Sequence, residues 1–340
     1  MVTPDPVAAY RPLAPARADL VAWPDVFGTR FIVFVDTEEE FDWAAPLSRD
    51  AHAVSAVAAI PEANRWFADH GVPLTYMVDY PIVADARAVD LLRAACADGV
   101  SAIGAQLHAW VTPPFDEALT PFNSYAGNLP RALEAAKIDC LTEAITAAFG
   151  TRPIAYRAGR YGIGPNTLSL LAARGYRLDS SMRSRYTYTA DGGPDFSVIG
   201  NAAFHVGSGS GLIELPLTTV HTGVLRRQGA ALYHALGSVP KGRGLFARAG
   251  LLSRVALTPE DMPLHDALEA IAVAAGEGVR VLNFAFHSPS LVPGHTPYVR
   301  DAADLAVFYG WWAAVLNDLA RRGIAAASLD QVIAAARARR

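Results

Sequence analysis

The sequence predicts an α/β protein built as one barrel-like domain, and three observations carry that expectation. Short β-prone runs such as FIVFV (31–35) and VRVLNFAF (279–286) alternate with helical patterns, which favours parallel strands joined by right-handed crossovers. The chain has 340 residues, 52% of them hydrophobic and 18% charged, enough for one large core, and no repeat or linker cuts it in two. Polar side chains of metal-binding and acid–base type stand directly after most of the strands, where barrels of this class carry their chemistry. The expected organisation is an extended arm over residues 1–28 and a single barrel domain over 29–340.

The arm is Pro-rich and aperiodic, with prolines at 4, 6, 12, 15 and 24. The first strand is expected at 31–36 and ends in Asp36, Thr37, Glu38, Glu39 and Glu40. Residues two apart on a strand share a face, so Asp36 and Glu38 point one way and Thr37 the other. A helix over 51–70 stops at Gly71, and 72–78 reads as the second strand. A helix over 84–98 ends at Gly99, where a glycine cap fits, and 100–104 is a short third strand. The segment 111–129 is long for a structureless connection, and such loops are often functional. A helix spans 130–149, followed by a strand at 153–156, a helix at 165–174 and a strand at 176–179. Residues 183–211, rich in Arg, Tyr, Gly and Ser, fit no period and read as an excursion on the substrate side. A strand at 212–216 precedes a mostly helical insertion at 225–251 carrying Arg226, Arg227, Lys241, Arg243 and Arg248. A helix at 263–275, a buried strand at 279–286, a helix at 301–321, a strand at 324–327 and a helix at 329–337 complete the chain.

The bulk properties exclude several classes. The net charge is −4 and the only basic cluster is the Arg-rich C-terminus (Arg337, Arg339, Arg340), so a nucleic-acid surface is not expected. No apolar run is long enough to span a bilayer, and the first twenty residues lack the charged and apolar regions of a signal peptide; the expectation is a soluble, cytoplasmic protein. Cys96 and Cys140 lie in helical patterns without metal-type spacing.

The groups after the strands form a set. Asp36 and Glu38 follow the first, Gln106-Leu107-His108 the third, Arg157-Ala158-Gly159-Arg160-Tyr161-Gly162 the fourth, Asp179-Ser180-Ser181 the fifth, and His287-Ser288 the penultimate. With DTEEEFDW (36–43), IGAQLHAWVTPP (103–114), YRAGRYG (156–162), LDSS (178–181), ELPLTT (214–219) and FHSPSLVPGHTPYVRD (286–301), the chain resembles the NodB-type polysaccharide deacetylases, carbohydrate esterase family 4. It is most similar to their lipopolysaccharide-biosynthesis, WalW-like branch. The resemblance implies a distorted (β/α)7-type barrel and hydrolysis of an N-acetyl group on a carbohydrate substrate with the help of a divalent metal, zinc above all. It implies Asp36 as base, His287 as acid, and Glu38 and His108 as metal ligands. Arg157 or Arg160, together with Asp179, would support the base, and Tyr161 and Trp110 would serve the oxyanion and the substrate.

The sequence departs from the family pattern at the second histidine. Thr112 stands four residues after His108 and Gly104 four before it, while Gln106 lies where a first histidine is expected. That departure keeps open an inactive glycan-binding homologue, and because a fold does not fix its substrate, an amidohydrolase acting on a ureide or cyclic amide stays open as well. Plainer roles also remain for single residues, such as a buried Asp36 salt bridge to Arg157 or Arg160 and a helix-capping Glu38. The Arg/Tyr-rich segment 183–188 and the basic insertion favour an anionic or glycan substrate.

Overall fold

A computed structural model describes residues 9–42, 45–207 and 209–338. The first eight residues of the N-terminal segment, Trp43 at the end of the DTEEEFDW stretch, and Arg339 and Arg340 lie outside them.

In chain order the elements are β1 (Arg30–Thr37), α1 (Ile60–Asp69), β2 (Leu74–Val78), α2 (Tyr80–Ala84), α3 (Ala86–Ala95), β3 (Ala102–Leu107), α4 (Arg131–Phe149), β4 (Ala155–Ala158), α5 (Thr167–Ala173), β5 (Leu178–Asp179), β6 (Phe204–His205), β7 (Ile213–Glu214), β8 (Thr219–Thr222), α6 (Gly229–Leu236), α7 (Gly242–Arg248), β9 (Ser253–Ala256), α8 (Leu264–Gly276), β10 (Val281–His287), α9 (Ala302–Arg321), β11 (Ala325–Ala326) and α10 (Leu329–Arg337). The main sheet runs β10-β1-β2-β3-β4-β5-β7-β6, with β11 beside the start of β1. All of its pairings are parallel except β6 with β7.

The sheet is curled, and no ladder joins β10 to β7 among the described residues. Hydrogen bonds from Asn283 span that gap: its N donates to Thr218 Oγ1 at 2.9 Å and its Nδ2 to Leu215 O at 2.9 Å.

Both faces of β1 are buried, which is why it reads as an unbroken apolar run. Phe31, Val33 and Val35 join the helix-side core with Phe67, Phe286 and Trp312. Ile32 and Phe34 face the interior with Met77, Ala155, Leu178, Ile213 and Val281, and α10 contributes Leu329, Val332 and Ile333 to that cluster. The two-residue period then carries Asp36, Arg157 and His287 onto the interior face at the C-terminal strand ends. Leu178 and Ile213 are interior, so their neighbours Asp179 and Glu214 turn away from it.

Element boundaries differ from the sequence reading for local reasons. The strand expected at 100–104 lies at Ala102–Leu107, because Asp98 Oδ1 accepts from Val100 N and Ser101 N and prolongs the turn after Gly99. Gln106 therefore sits inside the strand. The helix expected over 51–70 is α-helical only from Ile60, where Pro61 starts it. The helix expected over 84–98 starts at Ala86, because the Asp85 carboxylate caps Ala88 N at 2.8 Å, and it tightens to a 3-10 turn over Cys96–Asp98. The insertion at 225–251 is helical as expected, but it is carried by an antiparallel pair, β8 and β9, that the sequence reading lacked. Within 9–28, Val21 N donates to Ala203 O at 2.9 Å, and Val21 and Trp23 are buried. No helix is long and apolar enough to cross a membrane among the described residues.

Candidate active site

A cavity of about 840 Å³ opens at the C-terminal ends of the strands. Asp36, Glu38, His108, Trp110, Arg157, Arg160, Tyr161 and His287 all line it, with Gln106 and Glu260. Of the residues given a catalytic, metal or substrate role in the sequence, only Asp179 does not.

Asp36 and His287 are register partners on neighbouring strands. Asp36 Oδ2 lies 3.8 Å from His287 Nε2, and its Oδ1 accepts from Arg157 Nη1 at 2.6 Å. Each guanidinium nitrogen of Arg157 is engaged: Nε donates to Ser180 O at 3.1 Å, Nη2 to Ser180 Oγ at 3.0 Å, and the guanidinium lies 4.8 Å from the Phe34 ring centre. Arg160 points elsewhere, donating to Ser124 Oγ and Pro121 O and lying 3.7 Å from Asp191.

His287 is gripped from behind by Glu260, a loop residue with no periodic signal in the sequence. Its Nδ1 is 2.6 Å from Glu260 Oε2, and its backbone N donates to Glu260 Oε1 at 3.0 Å. Burial would lower the imidazole's pKa, but the charges of Glu260, Glu38 and Asp36 outweigh it and push it up to about 10. His287 is therefore an imidazolium at neutral pH.

Glu38 and His108 meet on the cavity floor. Glu38 Oε2 lies 3.4 Å from His108 Nε2 and accepts from Gln106 Nε2 at 3.3 Å. Burial pushes the Glu38 carboxyl up to about 8, against the pull of His287 and His108. Behind His108 stand Glu39 and Asp79, neither of them a candidate from the sequence. Glu39 Oε1 accepts from Trp110 Nε1 at 2.8 Å, so its Oε2, 2.7 Å from His108 Nδ1, is read as an acceptor too. That fixes the proton on Nδ1 and turns the Nε2 lone pair toward Glu38. Asp79 holds the Glu39 backbone N at 2.8 Å and caps α2 through Ile82 N at 3.0 Å. Burial, reinforced by Glu39, raises the Asp79 carboxyl well above its ordinary value.

Two groupings could hold a cation. Glu39, Asp79 and His108 bring ligand atoms within 4.8 Å of one another. Each of their carboxylate oxygens already has a partner, an arrangement typical of groups that orient a ligand histidine. On the cavity side, Glu38 Oε1 and Gln106 Oε1 are buried without a hydrogen-bond partner beside His108 Nε2. A carboxylate, an imidazole and an amide oxygen with unused capacity fit a divalent cation such as zinc, and Glu38, His108 and Gln106 are the residues that would hold it.

The loop after β4 is built for close approach. A Cβ at Gly159 would meet His108 Cδ2 and come within 2.9 Å of Leu107 O. The next two residues, Arg160 and Tyr161, both adopt left-handed backbone, with φ of 55° and 58°. Such strain persists only where surrounding contacts hold it. Trp110 stacks on His108 with centroids 4.3 Å apart, and Tyr161 stacks on Tyr188 at 5.9 Å.

Asp179 pairs with its register partner Glu214 behind the sheet and accepts from Ser181 Oγ, which itself accepts from Ala158 N at 2.8 Å. Burial raises both carboxyls, Asp179 to about 6 and Glu214 well above its ordinary value. Asp179 thus braces the β4 end from the far face.

No protein-family model matches the chain, and no curated protein matches it. Solved structures do. One from Mycobacterium smegmatis, assigned as a polysaccharide deacetylase, aligns with a TM-score of 0.54 at 19% identity, covering 96% of this chain and 95% of its own. A Pseudomonas aeruginosa PAO1 structure with the same assignment gives 0.49 at 15% identity, covering 90% and 89%. PuuE allantoinase gives 0.46 at 16% identity, covering 91% and 88%. The likeness to the mycobacterial structure establishes a shared fold over nearly the whole of both chains.

Proposed function

We propose that the protein is a hydrolase of non-peptide C–N bonds that removes the acetyl group from an N-acetylated sugar. The observation that carries this is a carboxylate and an imidazolium, Asp36 and His287, 3.8 Å apart at the floor of one cavity, each held by its own buried partner. The fold shared with the mycobacterial structure supports it, as does counting the parallel run β10-β1-β2-β3-β4-β5-β7 as a distorted (β/α)7 barrel.

Asp36, fixed by Arg157, takes the proton from the attacking water. His287, charged at neutral pH, protonates the departing amine, and Glu260 stabilises its cationic form between turnovers. The backbone N–H of Tyr161, in its strained turn, would donate to the oxygen that gains charge. Trp110, braced by His108, and the tyrosines of the wall would border the sugar. A divalent cation held by Glu38, His108 and Gln106 would act as Lewis acid on the amide and lower the pKa of a bound water. Glu39 keeps His108 in the tautomer such a cation needs. The lipopolysaccharide-type substrate implied by the sequence resemblance belongs to this same proposal.

Acetate release from N-acetylated sugars, nucleotide sugars and lipid-linked sugars, by wild type and Asp36→Asn, tests the proposal. Release by wild type and its loss in Asp36→Asn are expected. Equal release by both would remove Asp36 from the chemistry.

A further inference from the structure

We infer that Arg183 forms a subsite for an oxyanion, a carboxylate or a phosphate, carried by the substrate sugar, which gives the deacetylase reading of this cavity an acidic substrate class. Three arginines line the cavity. Arg157 is matched by Asp36 and Arg160 by Asp191. Arg183 has no carboxylate within ion-pair distance among the described residues; its neighbours are aromatic. Its guanidinium carbon lies 3.7 Å from the Tyr186 ring centre and 5.8 Å from that of Tyr161, and Nη2 donates to Tyr186 Oη at 3.1 Å.

A second guanidinium increases the imbalance. Arg254 lies 3.5 Å from the same Tyr186 ring centre. Two groups that close cannot share one face, so the ring is sandwiched between two cations. Arg254 also lacks a carboxylate partner among the described residues; it donates to Arg185 O at 2.9 Å and lies 4.8 Å from the Tyr233 ring centre. Aromatic faces attract guanidinium groups but do not cancel their charge, and the half-buried Arg183 and Arg254 keep theirs without a counter-charge among the described residues. The wall keeps unused hydrogen-bonding capacity as well. Arg183 and Tyr188 lean on one another, while Tyr125 Oη is buried without a partner, and all three residues line the cavity.

A planar guanidinium fork flanked by phenol hydroxyls suits a carboxylate or phosphate oxygen pair. A neutral sugar would leave that charge uncompensated. The substrate class is therefore an N-acetylated sugar bearing an acid group, either a carboxylate on or beside the ring or a phosphate ester.

The test compares acetate release from N-acetylmuramic acid, N-acetylglucosamine 6-phosphate and neutral N-acetylglucosamine by wild type, Arg183→Lys and Arg183→Met. In wild type at least one acidic sugar is expected to exceed the neutral one in kcat/KM by about tenfold or more, mainly through KM, as a charge-assisted hydrogen bond supplies. The ratio is expected to collapse to about twofold or less in Arg183→Met and to survive in part in Arg183→Lys, which keeps the charge without the fork. The carboxylate and phosphate arms tell the two sources apart. Inorganic phosphate titrated against tyrosine fluorescence reads the subsite without turnover: it is expected to bind wild type and not Arg183→Met, with Arg183→Lys as the judge if the methionine variant melts early. A wild type with no preference for acidic sugars, or a preference that persists in Arg183→Met, overturns the subsite. Phosphate binding lost in Arg183→Met while no sugar is turned over upholds the subsite and counts against the deacetylase reading instead.

Discussion

Replacing Glu260 by Gln keeps the shape of the His287 contact and removes its charge. In the wild-type protein the Glu260 charge is the largest of those that raise His287 from an ordinary 6.5 to about 10. Losing an opposite charge 2.6 Å away lowers a pKa by about 1–3 units, which places the variant's His287 between about 7 and 9. Each unit is worth about 1.4 kcal/mol of preference for the imidazolium.

The sign follows from the role. His287 donates a proton, so activity falls on the alkaline side as it deprotonates, and the alkaline limb of kcat/KM should move down by the same interval. Linked stability has the same direction. A folded-state pKa raised above the unfolded value stabilises the protein fully below about 6.5 and ceases to do so as pH rises through about 10. The melting difference between wild type and Glu260→Gln should therefore be full at and just below neutrality and shrink toward pH 10. The assays are a pH profile of acetate release and an NMR titration of the His287 ring, which needs no substrate. An alkaline limb and ring titration that stay in place in Glu260→Gln would refute the reasoning, because the charge argument allows no compensation of that size.

Other outcomes follow from the same geometry. Asp36→Asn should cost about 100-fold or more in turnover, while its amide oxygen can still accept from Arg157, so unfolding free energy should fall by only about 1–3 kcal/mol in denaturant melts. Gly159→Ala should push His108 off its position and cost about 1–3 kcal/mol of stability along with activity, seen in paired melting and rate measurements. Glu39→Gln should weaken zinc binding about 10–100-fold in competition with a chromophoric chelator, since it disturbs the histidine's orientation without removing a ligand. Chelation should silence wild-type activity, and added zinc should restore it.

Much of this site could be read from the chain because strand alternation transmits sequence position into facing direction. Asp36, Arg157 and His287 each end an apolar run, and two-residue periodicity carries all three inward. The same rule explains why Asp179 lies outside the cavity: its neighbour Leu178 takes the interior face. β1 ends at Thr37, yet Glu38 still enters the cavity beside Asp36, as two-residue alternation expects, while Glu39 lies behind His108. Asp79 does follow a strand, and the strand-end rule points to it, but an Asp before Tyr-Pro also reads as an ordinary helix cap, which it is. Glu260 lies in a loop where no period operates, and only tertiary structure brings it to His287. β8 and β9 were hidden because a pairing across a long helical insertion leaves no local turn signal.

The central claim is that water activated beside Asp36 attacks an amide carbonyl whose nitrogen leaves with a proton from His287. Turnover of an N-acetylated sugar in ¹⁸O-labelled water tests this most directly. The account predicts one labelled oxygen in each acetate released by wild type, and no labelled acetate from Asp36→Asn. Unlabelled acetate, or labelled acetate produced equally well by the variant, would contradict it.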